Sequence, residues 1–430
     1  MKFAMRLLLV PVALSAGTMA FHGPARADDV AAFYKGKQIT LIIGYSAGGG
    51  YGTYARAVAR HITKHIPGNP GIVPKNMAGA GSRRAANYLY AVAPRDGTYI
   101  GTIGQGVPLD QTMKKPGVKY DASKFSWIGN IILDNNITYT SASTGIKTIQ
   151  EALQKGGVIC GGTGATSPSV AFPQIINNLI GTKFRIIRGY PGGSEINLAQ
   201  ARGEVNCRGS KGWASTKATL TDELKNREYN IIVQWGPKKN PEISQYMGRE
   251  VPLITEFAKT DLDRKALAMI ISGVTIGRPL MTPPDVPAER VAALRAAFDA
   301  TMKDPQFLAL AKKQRMDINP MPGVELQQVV SEVINSPDDA VSRLHELLAP
   351  RNVTKLQAKS LVGSIESVSK RSMTVTDKSG KSTKMRIHPR RTKVEIAGKK
   401  GKTKSLKAKL NCSFKFLPGA GNLVTAANCK

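Results

Sequence analysis

"ITLIIGYSAGGGYGTYARAVARHI", residues 39–62, decides how the chain is read. Its first half is an apolar run of strand length, and its second half has the spacing of an amphipathic helix. Between them lies a loop of small residues. Gly44-Tyr45-Ser46-Ala47-Gly48 matches the G-x-S-x-G elbow of serine hydrolases letter for letter. The same loop also has the layout of an anion cradle, in which a strand runs through glycines into a helix N-terminus. Ser46 is therefore a nucleophile, part of a phosphate loop, or a hydrogen-bond donor to another anion.

Two of these readings fail on their neighbours. A hydrolase elbow follows several strands, and its acid and histidine come later in the chain. Ser46 follows an early strand, with His61 and His65 one helix away and His345 and His388 far along the chain. A phosphate loop of the G-x-x-x-x-G-K-[ST] kind needs a lysine that is absent here. The dinucleotide spacing is not kept by Gly48, Gly49, Gly50 and Gly52, and the second strand ends in Asn76-Met77 without an acid. His61 and His65 stand four apart on one helix face, but they have no glutamate between them and no third ligand. No metal, no cofactor and no enzymatic activity are expected.

Backbone anion binding remains. Four small-residue loops each follow a strand pattern and precede a helix pattern: "SAGGGYG", "MAGAGS", "GGTGATSPS" and "GYPGGSE". Such turns lie at the carboxyl edges of strands in an open α/β sheet, where ligands sit. The first two belong to a β-α-β-α-β run over residues 38–108, and the other two to a second α/β set. A strand, a proline-rich turn and a long helix follow in "SGVTIGRPLMTPPDVPAERVAALRAAFDATM". Two α/β lobes with a cleft are expected. Residues 28–133 and 275–350 form lobe 1, and residues 134–274 form lobe 2.

The ends carry separate information. A basic start, the apolar run "LLLVPVALSAGTMAF" and Ala25-Arg26-Ala27 read as a cleaved secretory signal peptide over residues 1–27. A periplasmic location is expected. Beyond a linker at 351–360, short alternating strands such as "SMTVTDKSGKSTKMRIH" read as a small all-β barrel or sandwich over 361–430. Residues 355–430 carry 19 Lys or Arg against Glu366, Asp377 and Glu395, about half of the chain's formal charge of +31. A polyanion contact by this module, at an envelope surface, is the alternative function. Few aromatics interleave with the charges, so sequence-specific nucleic-acid binding is not expected. Four cysteines allow three pairings, and proximity favours Cys160 with Cys207 and Cys412 with Cys429.

The residues also carry a resemblance. "GYSAGGGYGTYAR", "HIPGNPGIVPKNMAGAGSRRAANYLYAVAPRDGTYIG", "FSWIGN", "GYPGGSEINLAQARGEV" and "VPLITEF" resemble the substrate-binding receptors of tripartite tricarboxylate transporters, the Bug-type periplasmic proteins, over about residues 35–348. The resemblance implies a two-lobed type II periplasmic binding protein fold. It also implies a small organic carboxylate ligand and membrane permease subunits as partners. Loop amides, hydroxyls and water would hold the ligand. Carried over by position, contacts would come from Ser46, Ala47, Gly49 and Tyr51, then Ala80, Gly81 and Ser82, then Gln105. The other lobe would supply Thr163, Thr166, Ser167, Gly192 and Gly193. The first loop usually reads GGG-x-D-x-x-AR in such receptors. Gly52 replaces that acid here, which leaves open any ligand amine or hydroxyl it would have held.

Overall fold

The computed structural model describes residues 27–369, 371–387, 392–417 and 422–429. The leader proposed for residues 1–27 lies outside them except for its last residue, as do His388 and Lys430. Among the described residues no helix is long and apolar enough to cross a membrane.

The opening stretch forms strand Gln38–Ile43 and helix Gly50–Ala59, as its pattern predicts. Five of the six strand residues are buried, because helices cover both faces of the sheet. The strand runs parallel to Gly71–Asn76 and Tyr99–Thr102. Pro74 is tolerated because Gly71–Asn76 is an edge strand, where a missing N–H costs no ladder bond. The sheet then continues through Pro279–Thr282, Ser126–Asn130 and Met321–Pro322, each antiparallel to its neighbour. The first sheet is thus mixed rather than wholly parallel, since the chain re-enters it from the other lobe in the opposite sense.

A second six-stranded sheet has Ile159–Gly162 parallel to Arg185–Arg188 and to Cys207–Gly212. Asn136–Ser141 lies antiparallel between Cys207–Gly212 and Tyr229–Trp235. The Cys160–Cys207 disulfide joins two residues that are register partners on adjacent strands.

The "SGVTIGRPLM" stretch differs from its sequence reading. Only Pro279–Thr282 is strand, and residues 272–275 end a helix, Asp261–Thr275. A capping box starts that helix: the Thr260 hydroxyl accepts from the Asp263 N–H, and the Asp263 carboxylate accepts from the Thr260 N–H. Ala266, Leu267, Ile270, Ile271 and Val274 then recur at helical spacing and are buried. The helix packs on Val107–Thr112, Gly323–Ile334 and Asp338–Leu347. That packing overrides the strand preference of Val274 and Thr275.

The expected linker is also partly structured. Val353–Lys355 adds a parallel strand to the edge of the second sheet beside Arg185–Arg188. The C-terminal module is a closed barrel. Lys359–Val368, Ser372–Asp377, Ser382–Arg386, Asn411–Leu417 and Leu423–Cys429 pair in a ring, completed by Arg386 against Leu423. Alternation along Asn411–Leu417 turns Cys412, Phe414 and Phe416 inward, where they meet Ile365, Val375 and Met385. Cys412 and Cys429 face each other across the ladder and are bonded, so both expected disulfides are present. Among the described residues, no Lys or Arg of the barrel forms an ion pair with an acid.

Candidate anion-binding site

The four small-residue loops meet between the lobes, and the lobes touch. Ser46 donates to the Glu195 Oε2 of the opposite lobe at 2.6 Å, and Ser194 donates to the Ala47 carbonyl at 2.9 Å. Arg83 Nη2 donates to the Thr166 hydroxyl at 3.2 Å, and Arg278 Nη2 donates to Ser215 Oγ at 2.7 Å. These bonds hold the cleft closed. Ser46 thus donates to a carboxylate, but the acceptor is the protein's own.

The closed cleft encloses a cavity of about 80 Å³. Of the residues carried over from the resemblance, Gly49, Tyr51, Gln105, Thr163, Ser167 and Gly193 line it. Ser46, Ala47 and Gly192 form the lobe contact instead. A Cβ on Gly192 would stand 2.1 Å from Ser46 Oγ, so only glycine lets these loops meet. Ala80 and Gly81 line a separate, outer cavity. Ser82 is buried beneath Gly44, and Thr166 is bonded to Arg83. The 79–82 turn has positive φ at four successive residues, of which Ala80 and Ser82 are not glycine. Backbone held there costs about 1–3 kcal/mol for each residue other than glycine and is concentrated at ligand clamps and functional loops.

Three helices begin at the cavity. Gly49 caps Gly50–Ala59, Ser167 caps Pro168–Ile180, and Gly192 caps Gly193–Ala201. None of the three caps makes a side-chain cap bond, so first-turn N–H groups remain available to an anion.

The cavity also holds what the sequence reading missed. Arg208, Lys211 and Arg278 line it at 6%, 8% and 6% exposure. None has a carboxylate within ion-pair distance among the described residues. Arg208 donates to the carbonyls of Ser210 and Gly193, and Lys211 Nζ to the Thr219 hydroxyl at 2.6 Å. The Arg278 guanidinium lies 4.4 Å from the Tyr51 ring centroid, and its Nε has no partner. Burial pushes Arg208 below the ordinary arginine range. Burial, reinforced by the charge of Arg208, pushes Lys211 well below the ordinary lysine range. The nearby Asp134 carboxyl is pushed up to about 7 by burial, against the pull of Arg278. Cationic groups kept dry without an acid are costly unless an anion joins them. The legible signal was two basic residues inside the otherwise small-residue strand Cys207–Gly212.

Gly52 is not in the cavity wall. It sits in the first turn of its helix, where a Cβ would meet Arg56 Nη1 at 3.0 Å. Arg56 bonds Asn76 Oδ1 at 2.6 Å and the Gly52 carbonyl at 3.1 Å, which is a structural role. An acid here would pair with Arg56, favour the helix N-terminus and relieve the glycine penalty. Gly52→Asp should therefore raise stability by about 1–2 kcal/mol, read by thermal denaturation. His65 is bonded to Asp304 and His61 stands edge-on to Phe307, so neither faces the cavity.

No family model matches the chain, and no curated protein matches it. Solved structures do. BugD, a periplasmic binding protein, superposes with a TM-score of 0.59 at 17% identity, covering 75% of this chain and all of BugD. MatC from Rhodopseudomonas palustris, solved with malate, gives 0.57 at 18% identity, over 73% of this chain and 99% of MatC. A second R. palustris protein, solved with adipate, gives 0.56 at 17% identity, over 73% of this chain and 97% of its own. Over three quarters of its length, this chain has the two-lobed fold of the Bug-type periplasmic binding proteins.

Proposed function

We propose that the protein is a periplasmic receptor that captures a small organic carboxylate between its lobes and delivers it to the permease of a tripartite transporter, without turning it over. One observation carries the reading: three buried cations without an acid partner share a closed interlobe cavity with three helix N-termini. An anion that contacts both lobes favours the closed form, since only differential contacts shift such an equilibrium. The malate in MatC and the adipate in its relative are ligands of this chemistry. Hydrolysis by Ser46 has no support, because its hydroxyl faces Glu195 and no histidine lines the cavity.

The test is calorimetry on protein unfolded and refolded to strip bound ligand, titrated with malate, adipate, succinate and citrate. A ligand at ~100 times its dissociation constant should add about 2.7 kcal/mol of stability. Affinity for a ligand fully ionised between pH 6 and 8 should rise as pH falls through 7. The reason is that Asp134 becomes neutral and stops opposing the anion. Asp134→Asn should flatten that dependence. Absence of binding by every carboxylate defeats the proposal.

A further inference from the structure

A second cavity, of about 640 Å³, lies outside the first. Its walls come from three parts of the chain. Lobe 1 supplies the strained 78–84 turn, lobe 2 supplies residues 163–165 and 188–191, and the barrel supplies Leu417 and residues 423–425. Tyr45 and Thr163 belong to the walls of both cavities. Between the two cavities the lobes close tightly, with Gly164 against the Gly81 backbone.

The barrel wall is fixed to lobe 2. Leu417 and Leu423 pack with Leu356, Ile187 and Tyr190 in one apolar cluster. The strand Val353–Lys355, hydrogen-bonded beside Arg185–Arg188, brings the chain to that cluster. The lining is apolar on the barrel side and cationic at its rim. Arg84, Arg188 and Lys355 line the cavity, and among the described residues none has a side-chain hydrogen bond or an ion pair. An apolar wall with unpaired cations along the same cavity suits one chemistry.

We infer that the closed protein carries an outer binding site for an organic anion with an apolar body, built where the two lobes and the C-terminal barrel meet. The inner cavity is too small for such a ligand, so the two sites take different molecules. The anionic head sits among Arg84, Arg188 and Lys355, and the body lies along Leu417 and Leu423. The barrel is thereby part of a binding surface and more than an appendage.

The probe is 1-anilinonaphthalene-8-sulfonate, titrated by fluorescence into the full chain at constant salt. Saturable one-site binding is expected. Arg188→Gln combined with Lys355→Gln should weaken it about 10-fold or more, through loss of two charge-assisted contacts. Arg84→Glu, at an exposed position, should weaken it as well. Lys303→Gln, at an exposed position that lines neither cavity, should leave it unchanged. The inference is overturned by non-saturable binding, by equal affinity in the double variant or in Arg84→Glu, or by the same loss of binding in Lys303→Gln.

Discussion

Lys211→Met should make the empty protein more stable and its anion binding weaker. Lys211 is buried, and among the described residues its ammonium donates only to the Thr219 hydroxyl. Methionine keeps the volume and gives up that single bond. Replacing buried charge by an apolar side chain of similar volume is often worth about 1–4 kcal/mol. The sign also follows from titration. The folded-state pKa of Lys211 lies well below the ordinary lysine value, so the unfolded chain binds its proton more readily. Stability is then highest above the unfolded lysine pKa and is lost as pH falls toward the folded one. The advantage of the methionine variant over the parent should grow in the same direction. With a carboxylate ligand the order reverses, because one of three cations facing the anion is gone, at a cost of roughly 10-fold or more in affinity. Denaturant titration of the stripped protein and calorimetry with ligand measure the two effects. A variant less stable when empty, or one that binds equally well, would contradict the reading of this cavity.

Gly164→Ala should abolish tight binding while leaving the fold intact. A Cβ at Gly164 would stand 2.2 Å from the Gly81 backbone nitrogen and 2.5 Å from the Ala80 carbonyl carbon. Backbone cannot step aside as a side-chain tip can. The two glycines, however, belong to different lobes, so the clash disappears if the cleft stays open. Gly164 does not itself need a positive φ, and alanine is otherwise acceptable there. The stripped variant should still unfold in one cooperative transition, lowered only by loss of the bonds between the lobes. Ligand affinity should fall about 100-fold or more, since the closed form bears the contacts to both lobes. Solution scattering should show the variant more extended than the parent. Normal affinity in the variant would show that binding needs no closure.

The opening stretch shows how far sequence carries the argument. "QITLII" and the helix after it were legible because apolar periodicity reports burial, and burial is what the sheet and its helices share. The four loops were legible as a group because each follows a strand. Their division of labour was not. Ser46, Ala47 and Gly192 touch across the closed cleft, while Gly49, Tyr51, Ser167 and Gly193 face the cavity. That difference is a matter of side-chain direction, on which loop composition is silent. Arg208, Lys211 and Arg278 escaped notice because a charged residue in a sequence reads as solvated by default. Only the three-dimensional structure shows that these three are buried and, among the described residues, form no ion pair. Residues 272–275 read as strand for another reason: Val274 and Thr275 are β-branched, and helix packing outweighed that local preference.

The short strand Val353–Lys355 has one more consequence. It is only three residues long and lies against Arg185–Arg188, which without it would form the edge of the second sheet. An uncovered edge offers a row of free N–H and C=O groups to any other chain, and native proteins blunt such edges with short, lysine-bearing strands. Lys355 on so brief a strand meets that description. The segment that leads into the barrel therefore also guards the protein against self-association. Shortening the chain ahead of Val353 would remove more than a domain, because it would leave lobe 2 with a surface suited to aggregation.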